Sequence, residues 1–303
     1  MIKKTLYFGN PCYLKKKQDQ LLMEYAVSKE ASHSISIEDI GMIILDNLQI
    51  TITQGLLTAL NANNVAILNC DHKHLPTALM LPMASHHAFT EKIRYQIESS
   101  LPLRKNLWQQ TIIAKIRNQA ALIKIRGGDP KRLQYLSTQV KSGDKENAEA
   151  RAASWYWKAL FNETDTFKRE RFGDAPNNLL NYGYAILRGV VARSLTASGL
   201  LNTIGIHHRN KYNPFCLADD IMEPYRPYVD KIVIEMAWKY DDIDTLSKEF
   251  KAELLSIPVI DIMIDGNKSP LMVGMKRTTA SLMQCFEGKC KNILYPDLAK
   301  QDE

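Results

Sequence analysis

The stretch NLWQQTIIAKIRNQAALIKIRGG, residues 106–128, marks where this chain changes character. Trp108, Ile112, Ile116 and Ile123 fall at helical spacing on one face, Lys115, Arg117, Lys124 and Arg126 take the other faces, and Gly127-Gly128 stops the run. Upstream the period is that of strands. KTLYFG, QLLMEYAV, HSISI, MIILD and VAILNC are short apolar or alternating segments divided by turn residues, with one short helix expected in TQGLLTALNANN. Downstream the helical period persists. ENAEARAASWYWKALF is apolar nearly all round, as expected of a buried helix. DAPNNLLNYGYAILRGVVARSLTASGL opens on Asp-Ala-Pro and closes near Gly199, and IPVIDIMIDGNKSPLMVGM predicts a hairpin turning at DGNK. The fold expected is α+β: a small, sandwich-like and predominantly antiparallel N-terminal β domain over 1–77, a linker over 78–88, and a larger, mainly α-helical domain over 89–303.

With 303 residues, 45% of them hydrophobic and 24% charged, the chain can bury proper cores. No apolar run approaches the roughly 20 residues of a membrane span, and the N-terminus lacks the apolar core and cleavage site of a signal peptide. Cys12, Cys70, Cys216, Cys285 and Cys290 are odd in number and scattered, which reads as reduced thiols in a cytoplasmic protein. The net charge of +6 is unevenly placed. Residues 1–75 balance seven lysines against seven acids, whereas residues 91–141 carry eleven basic residues against three acids. Such a stripe is either a solvated helix face or the footprint of a polyanion partner.

Chemistry-bearing residues gather in GIHHRNKYNPFCLADDIMEPYRP, residues 205–227. Asp219 and Glu223 share a helix face, and Pro224 removes one amide bond beside Glu223. Local reasoning favours dipole partners or caps for Asp219 and Asp220 and leaves the choice between His207 and His208 open. Glu149 starts a stripe with Ala153, Tyr156 and Leu160, so it points where its helix is otherwise apolar and requires a partner: an Arg, a Lys or a bound cation. Imidazole with carboxylates suits Mg²⁺ or Mn²⁺ better than a thiol-rich zinc site.

The stretches TLYFGNPCYLKKKQDQLL, IEDIGMIILDNLQITITQGLL, RFGDAPNNLLNYGYAILR, GIHHRNKYN and FCLADDIMEPYRPYVD together resemble the family of CRISPR-associated protein one, in particular its type II form. The resemblance implies a metal-dependent DNA integrase and endonuclease of CRISPR adaptation. Such an enzyme inserts short captured DNA at the repeat border by 3′-hydroxyl transesterification. It implies a homodimer, a dimer of CRISPR-associated protein two, double-stranded DNA (both spacer precursor and repeat), and the type II effector nuclease as a candidate further partner. It maps the metal ligands onto Glu149, where Ala150 replaces a frequent glycine, onto His208 at the end of a Gly-apolar-apolar-His run, and onto Glu223, with Asp220 as a supporting acid. Candidate DNA contacts are Lys168, Arg169, Arg171, Asn178, Tyr182, Lys211 and Arg226, with core packing as the alternative for the tyrosine and acid-bracing for Arg226. Two other functions compete: a metal-dependent nuclease of single-stranded or branched DNA that does not join, and a non-catalytic DNA-binding scaffold.

Overall fold

IGMIIL, residues 40–45, contains no polar side chain, the pattern of a strand covered on both faces. A computed structural model, describing residues 3–25, 33–83, 88–161, 167–170, 173–240 and 242–301, shows it in that place. The N-terminal elements are β1 (Lys4–Phe8), β2 (Cys12–Lys17), β3 (Gln20–Tyr25), β4 (His33–Ser36), β5 (Ile40–Leu45), β6 (Thr51–Ile52), α1 (Gln54–Ala62), β7 (Ala66–Cys70) and β8 (Pro76–Met80). They form two four-stranded sheets, ordered β1-β5-β7-β8 and β4-β3-β2-β6. The sheets and α1 enclose a core that includes Leu14, Leu21, Ile43, Leu60 and Ile67, so the arrangement is sandwich-like.

The expectation of predominantly antiparallel pairing holds for β2, β3 and β4 but not for the other sheet. There β1 pairs β5 and β5 pairs β7, both in parallel, and only β7–β8 is antiparallel. The cause is the crossover: α1 lies between β5 and β7, and a helix between neighbouring strands returns the chain in the same direction. The domain boundary expected at 77 falls inside β8, which runs to Met80, and 84–87 of the expected linker lie outside the described residues. The alternation of β5 and β7 sends Ile43 and Ile67 into the sandwich core, while Met42, Ile44, Ala66 and Leu68 belong to the helical core on the opposite face.

The helical part comprises α2 (Phe89–Ile97), α3 (Leu101–Ile125), α4 (Lys131–Thr138), α5 (Ala148–Leu160), α6 (Asn177–Ala197), α7 (Cys216–Met222), α8 (Arg226–Lys239), α9 (Lys248–Leu254) and α10 (Leu271–Phe286). Before α10, β9 (Asp261–Ile264) and β10 (Asn267–Pro270) form the expected hairpin, with Asp265 and Gly266 at positive φ as its two-residue turn demands. Helix α6 lies on the second face of the parallel sheet, at a contact so close that a Cβ on Gly189 would stand 2.8 Å from Met42 Cε. A buried ion pair, Lys251 Nζ to Asp46 Oδ2 at 2.7 Å, ties α9 to the end of β5. All five cysteines are free thiols.

Helix α3 is the central post, and two expectations fail around it. Its Lys115 does not face solvent but is buried with Asn118 and Gln119, because α4, α5, α7 and α8 surround the helix on its polar side as well. Asn118 Nδ2 donates to the carbonyls of Pro224 and Pro296, and its Oδ1 accepts from Leu298 N, so this amide fixes the turn that follows Glu223. Nor is α5 buried all round. Ala148, Ala152, Tyr156 and Leu160 are covered, one residue per turn, and the remaining positions are half-buried or exposed.

Candidate metal and DNA site

Glu149 lies in the first turn of α5, whose opening amides are capped by Asp144: Oδ1 accepts from Ala148 N and Oδ2 from Glu149 N. Glu223 lies at the junction of α7 and α8, in the one-turn 3₁₀ segment Glu223–Tyr225 that Pro224 imposes. The two carboxylates meet at a single cation: Lys115 Nζ is 2.6 Å from Glu149 Oε1 and 2.6 Å from Glu223 Oε2. The partner that Glu149 required is therefore a lysine from α3. Arg226 Nε donates to Glu223 Oε1 at 2.9 Å, so this arginine braces Glu223 and not Asp220. Burial pushes the Glu223 carboxyl up, but Arg226 and Lys115 outweigh it and hold the group at about 2. Burial likewise opposes the Lys115 charge, and the two glutamates reverse it, raising its pKa.

The two histidines separate by geometry. The His207 ring stacks on Trp108, centroids 4.1 Å apart and planes 3° from parallel, and burial lowers its pKa. The His208 ring donates from Nδ1 to Asp220 Oδ1 at 2.5 Å, which raises its pKa against the opposing effect of burial. Its Nε2 has no hydrogen-bond partner among the described residues. Asp220 is fully buried, and its carboxylate also accepts from the His207 and His208 amides. The loop closes so tightly on this carboxylate that a Cβ on Gly205 would lie 2.6 Å from Asp220 Oδ2 and 2.6 Å from the His208 carbonyl. Asp219 instead pairs with Arg188 at 2.7 Å and accepts from Asn213.

Beside the glutamates opens a cleft of about 150 Å³ lined by Lys115, Gln119, Arg169, Tyr184, Glu223, Arg226 and Asp230. Arg169 reaches it from the segment before α6, held by Asn177 and Asn181, and Tyr184 lies under both Arg169 and Arg226. Asp230 accepts from the Tyr184 and Tyr156 hydroxyls. Burial outweighs those two bonds and lifts its carboxyl from 3.8 to about 6. A folded-state pKa above the unfolded value means that the unfolded chain loses this proton first as pH rises. Asp230 thus contributes stability below pH 3.8 that is lost as pH climbs through 6, about 3 kcal/mol in all. Asp230→Asn is expected to remove this slope, so melting temperatures recorded across that window should show the wild type gaining on the variant as pH falls.

Of the other sequence-selected residues, Lys168 is exposed and paired with Glu170, and Lys211 is exposed over the Tyr212 ring. Asn178 spends its amide on the carbonyls of Ile243 and Asp244. Tyr182 is fully buried in the helical core, so packing and not DNA stacking is its place in this fold. Arg171 lies outside the described residues. The basic stripe over 91–141 loses Lys115 to the interior but keeps Arg117, Lys124, Lys131 and Arg132 exposed. On sequence alone Lys115 is set apart from the Trp108 face and missed as a site residue, although seven positions after Trp108 is the same helical stripe.

Two carboxylates and an imidazole are a donor set for a hard divalent cation. Among the described residues no three His, Cys, Asp or Glu side chains are grouped as a metal would hold them. The fit lies instead in the convergence of Glu149 and Glu223 on one cation. Glu223 Oε2, moreover, is buried, with the ammonium 2.6 Å away. These two carboxylates are the chemistry that a hard cation such as Mg²⁺ or Mn²⁺ would take in place of the ammonium.

This is the architecture of a known class. Residues 6–244 match the family model described as CRISPR associated protein Cas1, and the chain belongs to that family. It is 41% identical over 235 residues to the CRISPR-associated endonuclease Cas1 of Neisseria meningitidis serogroup C (strain 8013), covering 77% of this chain and 75% of the relative. Among solved structures, a casposase bound to integration product superposes with a TM-score of 0.79 at 20% identity, over 100% of this chain and 94% of that one. A Cas6-RT-Cas1–Cas2 complex contains a chain of the same fold, with TM-score 0.74 at 19% identity, over 96% of this chain and 35% of that one.

Proposed function

We propose that this protein is the type II form of the Cas1 endonuclease and integrase, inserting short captured DNA at a CRISPR repeat border in the cytoplasm of a prokaryote. The observation that carries the reading is the meeting of Glu149 and Glu223 on one cation beside a cleft edged by Arg169 and Arg226. Glu149 and Glu223 would hold Mg²⁺ or Mn²⁺ through carboxylate oxygens and His208 through Nε2. When bound, the ion supplies Lewis-acid neutralisation of charge on a phosphate and its leaving oxygen. Asp220 holds the His208 proton on Nδ1 and so presents Nε2 as a neutral donor. Arg226 keeps the orientation of Glu223 fixed, and with Arg169 places positive charge along the cleft to receive DNA phosphates. No side-chain nucleophile is required, because the attacking oxygen is the 3′-hydroxyl of the captured DNA. A homodimer joined to a Cas2 dimer is the assembly that agrees with the fold's occurrence in a Cas1–Cas2 complex. Among the described residues no helix is long and apolar enough to cross a membrane.

The test is a gel assay with supercoiled repeat-bearing plasmid, a labelled short duplex, and Mg²⁺ or Mn²⁺. Label joined to plasmid is the expected result. Nicking without joining would replace the integrase with a nuclease, and neither product would leave only a DNA-binding scaffold.

A further inference from the structure

Among the described side chains Lys115 is the one that touches both glutamates. Its ammonium lies 2.6 Å from Glu149 Oε1 and 2.6 Å from Glu223 Oε2. Two carboxylates gathered in a buried setting repel unless a cation lies between them. The lysine supplies that cation from a rigid post, since α3 is capped at Ser100 and packed along its length. Its charge therefore occupies the place where the two acids converge, which is the place a divalent ion would claim.

We propose that Lys115 is a built-in competitor for the metal: it holds Glu149 and Glu223 in register in the metal-free protein and must be displaced for a divalent ion to bind. This rests on the reading of those glutamates as ligands. It adds a positioning residue that the ligand set alone does not contain. Displacing a charged pair with good geometry weakens metal binding by about tenfold or more. Methionine matches the length of lysine and removes the charge.

Mn²⁺ affinity is measured on the full-length protein by calorimetry, and free Mn²⁺ by electron paramagnetic resonance, for wild type, Lys115→Met, Lys115→Arg and Glu223→Gln. Lys115→Met is expected to bind Mn²⁺ about tenfold or more tightly than wild type, to melt lower without metal, and to recover that loss when Mn²⁺ is added. Lys115→Arg keeps the charge and should show no tightening. If Lys115→Met does not fold without metal, Lys115→Gln is held to the same criterion. Equal or weaker binding in the uncharged variant overturns the competitor role, provided that Glu223→Gln has lost Mn²⁺. If Glu223→Gln keeps full affinity, or if neither wild type nor the uncharged variant binds Mn²⁺, the ligand assignment itself falls and the inference with it.

Discussion

Alanine at His208 is expected to abolish DNA joining and cutting, a loss of about a hundredfold or more, while alanine at the adjacent His207 leaves most of both. The two rings are one residue apart, yet their surroundings divide the work. His208 has one nitrogen tied to a buried carboxylate and the other without a partner among the described residues. His207 lies flat on Trp108, so its removal costs packing, about 0.5–1.5 kcal/mol for a stacked aromatic pair. The measurement is the plasmid assay run beside thermal melts of both variants. Equal loss of activity in the two, with both folded, would end the assignment of His208.

Truncating Glu223 is expected to cost both activity and fold. Glu223→Ala leaves the buried Arg226 without this carboxylate and the buried Lys115 with Glu149 alone. Breaking a buried pair from one side costs about 3–5 kcal/mol, more than the pair itself is worth. Denaturant unfolding should show this destabilisation. Combining Glu223→Ala with Lys115→Met should return part of it, because the double variant also removes a buried cation left with only one of its two carboxylates. If the single variant unfolds at the wild-type midpoint, the ion-pair cluster is not holding the α3, α5 and α8 junction together.

Much of the architecture was legible in the chain because short-range patterns determine it. The switch from strand to helix period, the ends of α6 and the Asp-Gly hairpin each rest on a few neighbouring residues. Strand direction was not legible, since the parallel neighbours β1, β5 and β7 are joined by crossovers whose pairing no local period encodes. CYLKKK escaped notice as β2 because its lysines obscure the alternation that leaves Leu14 buried. At the candidate site, the need of Glu149 for a partner followed from its apolar stripe. The identity of that partner did not, because Lys115 arrives from another helix. Its charge suggests solvent, and only the packing of α4, α5, α7 and α8 around that part of α3 buries it. The separation of His207 from His208 by local residues alone was equally out of reach, since Trp108 and Asp220, which part them, come from different helices.

The sheet shared by two cores sets an order of events during synthesis. Its strands are complete by Met80, but the helix that covers their second face ends only at Ala197. At ribosomal speeds of roughly 5–20 residues per second, that interval lasts on the order of ten seconds. Throughout it Met42, Ile44, Ala66 and Leu68 form an uncovered apolar patch on a nascent chain. A chaperone or slow translation would matter most in that interval, and polar substitutions on this one face would be felt first as lost yield of folded protein rather than as altered chemistry.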